Sequence, residues 1–196
     1  MIYYNLLPLE ELNKLNQTLT QENFPWYYQP TITYNKTSSL VVDPNELDSF
    51  GFVHTTWHYE TGPMSEIYPL TAKILDAFTK QSGTKVKKLL RIKINLQTPI
   101  AGAGANIYNG AHIDEYSPHK VLIYYPSSSD GNTFVFNEIF DKNNNQTHVG
   151  NFIPTIKEQI TPLENSCYFL ENGYTYHSGS NPIKSDKRYV INIAFI

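Results

Sequence analysis

A chain of 196 residues is long enough to bury one sizeable core, and 40% hydrophobic with 17% charged residues suits a globular fold. A net charge of −3 gives no electrostatic footprint for nucleic acid or an anionic membrane. No run of 18 apolar residues occurs, so no membrane-spanning helix is expected, and a single cysteine, Cys167, excludes an internal disulfide framework.

Taken in order, Pro8 to Leu19 predicts a short helix: Pro8 suits a first turn, and Leu12, Leu15 and Leu19 share a face. Asn23 to Tyr34 is aromatic and broken by Pro25 and Pro30, which predicts an extended segment with loops. Asp43-Pro44-Asn45 signals a turn. Gly51 to Trp57 reads as a strand or loop edge. Of His54, Trp57, His58 and Tyr59, packing is favoured over a place in a substrate cleft. Ser65 to Ser82 predicts a second helix with Ile67, Leu70, Ile74 and Phe78 as its apolar stripe and Gly83 as its stop.

From Leu89 the period changes to two. Leu90, Ile92, Ile94 and Leu96 fall on one face of a strand. Ala101-Gly102-Ala103-Gly104-Ala105 then predicts a flexible loop, placed within 98–111 where a lid is useful. No Gly-Lys-Ser/Thr follows, so it is not a phosphate loop. Lys120 to Pro126 predicts a strand with Val121, Ile123 and Tyr125 on one face and Leu122 and Tyr124 on the other. Ser127 to Asn132, with Asp130-Gly131, predicts a hairpin turn into a strand at Thr133–Phe136. Asp141 to Asn145 is a polar loop; Ile156–Ile160, Ser166–Leu170 and Arg188–Ile196 are further strands, with a turn at Asn172-Gly173. Short strands separated by Gly, Pro and Asn turns predict a sandwich or barrel. With no repeat or linker, the expectation is one domain over 1–196: about 1–85 as helical and extended support, about 86–196 as the β core.

Two segments carry the chemistry. His112 and Asp114 are two apart and point to the same side of an extended chain. His177 follows His112 by 65 residues, and Arg188 follows His177 by 11, opening an apolar strand. Two imidazoles and one carboxylate are the ligand set of a facial triad that leaves one face of an octahedral ferrous ion open. An Arg at the interior end of a strand needs a carboxylate, since a buried unpaired charge is costly; a protein acid or a ligand can supply it. His119 competes as a ligand, His148 lies in a polar loop, and His54 and His58 stand apart in sequence.

On His112-x-Asp114, the later His177 and Arg188, the sequence from about Lys87 to Ile196 resembles the 2-oxoglutarate/Fe(II)-dependent dioxygenases, prolyl-4-hydroxylase-like branch. The resemblance implies a mainly β fold with flanking helices, the double-stranded β-helix (jelly roll, cupin-like). It implies Fe(2+) on His112, Asp114 and His177, with 2-oxoglutarate as cosubstrate, O2, and ascorbate as an accessory reductant. Arg188 would take the 5-carboxylate of 2-oxoglutarate, with Tyr125 sharing it and Asn192 lining the pocket; Asn95 and Tyr108 are candidates for the 1-carboxylate. The implied reaction hydroxylates a C–H of a peptide, amino acid or other small molecule and releases succinate and CO2. Arg188-Tyr189-Val190 departs from the family's frequent Arg-x-Ser, which touches the hydrogen bonding around the cosubstrate. A zinc hydrolase, a cupin-like metalloenzyme that does not use 2-oxoglutarate and an inactive jelly-roll binding module are the alternatives. The expected partner is a small-molecule or peptide substrate rather than nucleic acid or membrane. Met1 to Asn5 lacks a signal peptide's basic and apolar regions, so a cytoplasmic location is expected.

Overall fold

The last strand, β13 (Arg188–Phe195), is buried at every position because both of its faces are covered. Tyr189, Ile191, Ile193 and Phe195 face one core; Val190 faces another, with Arg188 and Asn192 sharing its parity. In the computed structural model, which describes residues 1–32, 46–47, 49–141 and 153–196, β13 lies between β8 (Lys120–Tyr125) and β6 (Leu89–Gln97), antiparallel to both. Further strands complete an eight-stranded sheet: β11 (Ser166–Leu170) and β1 (Ile2–Tyr4) beyond β8, then β4 (Gly51–His58) and β2 (Tyr27–Gln29) beyond β6, with β5 (Gly62–Pro63) on β4. A three-stranded sheet of β10 (Ile156–Ile160), β9 (Thr133–Ile139) and β12 (Thr175–Gly179) faces it, and β3 (Glu46–Leu47) pairs in parallel with β7 (Tyr108–Asn109). This is a jelly roll.

Periodicity explains which core each residue joins. Helices α1 (Leu9–Leu19) and α2 (Tyr68–Ser82) bury Leu12, Leu15, Leu19, Leu70, Ile74 and Phe78 against Ile92, Ile94, Leu122, Tyr124, Ile191 and Ile193 of the large sheet. Gly83 ends α2 at φ 72°, the left-handed conformation that favours glycine. On the other face of the large sheet, Val121, Ile123, Tyr125, Tyr168, Leu170 and Val190 meet Val135 and Ile160 of the small sheet. The predicted split of Lys120–Pro126 into two faces is the one found.

Three features differ from the sequence expectation. Ser127 to Asn132 is not a hairpin: β8 pairs with β11 and β13, whereas β9 belongs to the small sheet. The Asp-Gly pair serves another purpose there. Asp130 accepts the backbone N–H groups of Ile183, Lys184 and Ser185, and a Cβ on Gly131 would stand 2.7 Å from Arg188 Cδ. Ile2–Tyr4 forms an edge strand on β11 that three residues could not announce by period. Residues of the N-terminal part also supply β2, β4 and β5 to the main sheet. The turn expected at Asp43-Pro44-Asn45, most of the polar loop after Asp141, and His148 lie outside the described residues.

Candidate metal centre

Backbone pairing brings two histidines together. His112 and His177 each donate an N–H to the other's carbonyl at 3.0 Å, an isolated bridge that sets their ring centroids 4.8 Å apart. Asp114, two residues on, turns to the same point, and the ligand atoms of His112, Asp114 and His177 all lie within 4.8 Å of one another. His112 Nδ1 meets Gly110 O at 3.0 Å and His177 Nδ1 meets Thr175 O at 3.3 Å. A carbonyl only accepts, so each Nδ1 carries a proton and each Nε2 is the atom left to face a metal, that of His177 standing 3.3 Å from Asp114 Oδ2.

Asp114 is tied from the large sheet. Arg91 Nη2 on β6 donates to Oδ1 at 2.7 Å, and Asn192 Nδ2 on β13 donates to Oδ2 at 2.9 Å. Glu115 lies 3.6 Å from Arg91 Nη1. Burial pushes the Asp114 carboxyl up, but the hydrogen bond and charge of His177 and the charge of Arg91 outweigh it and hold the group well below its usual range. Burial, and then the neighbouring His177, lower His112 to about 4. A neutral His112 and an ionised Asp114 are the forms that bind a metal.

Arg188 lies in the interior with no acidic partner among the described residues. Its Nε donates to Gly131 O at 2.8 Å, Nη1 to Gln97 Oε1, and Nη2 to Thr133 Oγ1 at 2.7 Å. These bonds leave two guanidinium N–H groups. Burial lowers its pKa to about 10. Thr133 Oγ1 also accepts from Tyr125 at 2.8 Å, so both its lone pairs are taken and its own proton is left to donate. Gln97, whose amide oxygen accepts from Arg188, leaves Nε2 with no partner among the described residues. Three sets of donors therefore converge with no acceptor. A carboxylate, which only accepts, is the complement.

Two cavities meet at the triad. The inner one, about 70 Å³, holds Arg188, Thr133, Gln97, Asn95, Asn109 and Asn192. The outer one, about 660 Å³, includes Ile32, Val53, Thr55, His58, Met64 and Arg91. Ile32, Lys93, His112 and Asp114 line both. A register shift between Thr55 and Trp57 places His58 beside Thr55 on the cavity face, while Trp57 stacks on Tyr68 of α2 at 4.8 Å.

Of the residues singled out by sequence, His112, Asp114, His177, Arg188, Asn95 and Asn192 line the inner cavity. Asn192 stands closest to the carboxylate of Asp114. Tyr125 is fully buried behind Thr133, and Tyr108 packs on Phe134 and Phe136 at 5.1 and 5.2 Å; neither lines either of these two cavities. Asn109, next to Tyr108, lines it instead. His54 bonds Pro25 O and Ser65 Oγ, and His119 bonds Ser117 O with its ring against Gly173. Sequence reading missed Arg91, Lys93, Gln97 and Thr133. The signal for three of them was present: with Ile92, Ile94 and Leu96 turned to the helices, Arg91, Lys93 and Gln97 share the opposite parity.

The two rings and one carboxylate suit ferrous iron with positions to spare, and the convergent donors suit an anionic ligand beside it. No family model and no curated protein sequence matches this chain. Solved structures do. The non-heme alpha ketoglutarate dependent epimerase SnoN from nogalamycin biosynthesis superposes with a TM-score of 0.63 at 12% identity, over 100% of this chain and 77% of that one. An oxidoreductase of the 2OG-Fe(II) oxygenase family from Burkholderia pseudomallei gives 0.62 at 13%, over 100% and 84%. A prolyl-4-hydroxylase from Pseudomonas putida gives 0.55 at 9%, over 100% and 91%. Over its whole length the chain has the fold of the 2-oxoglutarate/Fe(II) oxygenases, prolyl hydroxylases among them.

Proposed function

We propose that this protein is a 2-oxoglutarate- and Fe(II)-dependent dioxygenase that hydroxylates a C–H of a peptide, amino acid or other small molecule. The observation that carries the reading is Arg188: a buried guanidinium with no acid beside it among the described residues, set with Thr133 and Gln97 beside two histidines and a carboxylate. A structural salt bridge would have shown an Asp or Glu at that place.

His112 Nε2, Asp114 and His177 Nε2 would hold the iron. Bound iron and 2-oxoglutarate supply the oxidising chemistry, with O2 consumed and succinate and CO2 released. Arg188 would fix the 5-carboxylate through its spare N–H groups, joined by the Thr133 hydroxyl and Gln97 Nε2. Tyr125 acts one step removed, by fixing the direction in which Thr133 donates. Asn95 and Asn109 line the same inner cavity and would orient the rest of the cosubstrate. Tyr108 backs Asn109. Arg91 and Asn192 hold Asp114 in place. The walls of the inner cavity, Ile123 and Val190, keep water from the anchored end.

The test is release of succinate from 2-oxoglutarate by the purified protein with Fe(II) and ascorbate, alone and with candidate substrates, together with calorimetric 2-oxoglutarate binding. Binding and turnover are expected; absence of both would leave a metalloenzyme of another kind. Neighbouring folds carry an epimerase and the carbocyclase SnoK, so product mass decides the outcome: hydroxylation adds one oxygen, epimerisation adds nothing and ring closure removes two hydrogens.

A further inference from the structure

The oxygenase reading accounts for Arg188 and Asp114 but leaves Lys93 unexplained. Lys93 sits at the middle of β6, opposite Thr55 of β4, and lines both cavities beside His112 and Asp114. Among the described residues it makes no hydrogen bond or ion pair. Its cationic neighbour Arg91 is already matched by Asp114 and Glu115. Lys93 is only partly buried, and its ammonium faces the cavities with no counter-ion of its own among the described residues, so an anion entering there would meet an unmatched cation.

Charge accounting says where that anion belongs. Ferrous iron and a dianionic cosubstrate cancel each other. Asp114 and Glu115 offset Arg91 and Arg188. The charge of Lys93 is what remains. The inner cavity has donors enough for the cosubstrate, whereas the outer cavity presents Arg91, Lys93 and His58 and, among the described residues, no acid other than Asp114. Its other walls are uncharged: Pro30, Ile32, Val53 and Met64 are apolar, Thr31, Thr55 and Thr61 carry hydroxyls, and Gln29 an amide. At about 660 Å³ it falls in the range of pockets that enclose a small molecule.

Resting on the oxygenase reading, we propose that the substrate is a small molecule with an apolar body and one carboxylate, and that Lys93 anchors this carboxylate where the two cavities meet. The carboxylate then holds the apolar body in the outer cavity, facing the triad. Substrates with a cationic group at that place would be repelled by Lys93 and Arg91.

The experiment uses the protein loaded with Fe(II) and saturating 2-oxoglutarate under anaerobic conditions, so that the Arg188 anchor is occupied. Hexanoate and hexanamide, matched in shape and different in charge, are titrated calorimetrically. Hexanoate is expected to bind at least about tenfold more tightly. Lys93→Met should abolish the difference and Lys93→Arg should restore it, with 2-oxoglutarate affinity changed less than about threefold in either. Equal binding by the wild-type protein, or a preference that survives in Lys93→Met, overturns the proposal. A fall of about tenfold or more in 2-oxoglutarate affinity in Lys93→Met also overturns it, because the ammonium would then serve the cosubstrate. If the wild-type iron protein binds no 2-oxoglutarate, the oxygenase reading falls and this proposal with it; if it binds and shows no carboxylate preference, only this proposal falls. The wild-type ratio is a test on its own, whether or not either variant folds.

Discussion

Gly179 on β12 and Arg188 on β13 approach each other across the two sheets so closely that a Cβ on Gly179 would stand 2.9 Å from Arg188 Nη1. With Gly131 on the other side, the guanidinium occupies a slot that only glycines can leave open. Gly179→Ala should therefore displace the guanidinium while sparing the triad. The expected result is a drop of about tenfold or more in 2-oxoglutarate affinity with iron binding retained. Calorimetry with each ligand separates the two; unchanged 2-oxoglutarate affinity would mean that Arg188 is not the anchor.

Thr133 stands between Tyr125 and Arg188, so the two hydroxyls should not be equivalent. Thr133→Val removes a donor that faces the cavity and an acceptor for the guanidinium, and should weaken 2-oxoglutarate binding about tenfold. Tyr125→Phe removes only the group that orients Thr133 and should cost less than about threefold. The reverse ranking, measured by calorimetry on both variants, would place the tyrosine hydroxyl on the cosubstrate.

Asn192 touches the metal site only through Asp114. Asn192→Ala leaves all three ligands in place and should lower iron affinity by about 10- to 100-fold, the usual effect of losing a group that holds a ligand. Competition against a chelator measures it. No change in affinity would show that Arg91 alone keeps the carboxylate in position.

His112 makes the metal-free protein sensitive to mild acid. Its folded pKa is lowered from 6.5 to about 4, first by burial and then by His177. Below 6.5 the unfolded chain binds a proton that the folded chain refuses, so this contribution to stability is complete above 6.5 and shrinks as the pH falls toward 4. Asp114, held below its ordinary range, adds to the loss at still lower pH. The melting temperature of metal-free protein should fall over that window, and His112→Gln should flatten the slope. A flat wild-type profile would sink the assignment of a neutral buried His112.

Much of this site was legible because its residues break a pattern that is itself easy to read. Arg188 interrupts an otherwise apolar strand, and His112-x-Asp114 stands in a loop between strands. Arg91, Lys93 and Gln97 went unread for the opposite reason. In a strand with one apolar face, polar residues on the other face look solvent-exposed, yet here that face lines the cavities at the metal centre. Asp130-Gly131 misled because its local turn chemistry is overridden by a long-range need, the close passage of Arg188. Parity placed Tyr125 on the correct face, but a residue eight positions later in the chain, Thr133, intercepts its hydroxyl. Side-chain reach across two sheets has no signature in local sequence.

The two-sided tether on Asp114 has a further consequence. With Oδ1 held by Arg91 and Oδ2 by Asn192 from neighbouring strands, the plane of the carboxylate is set before any metal arrives. An ion would meet this ligand in one orientation, so little reorganisation would accompany its binding, and the two strands rather than the ligand itself would supply that readiness.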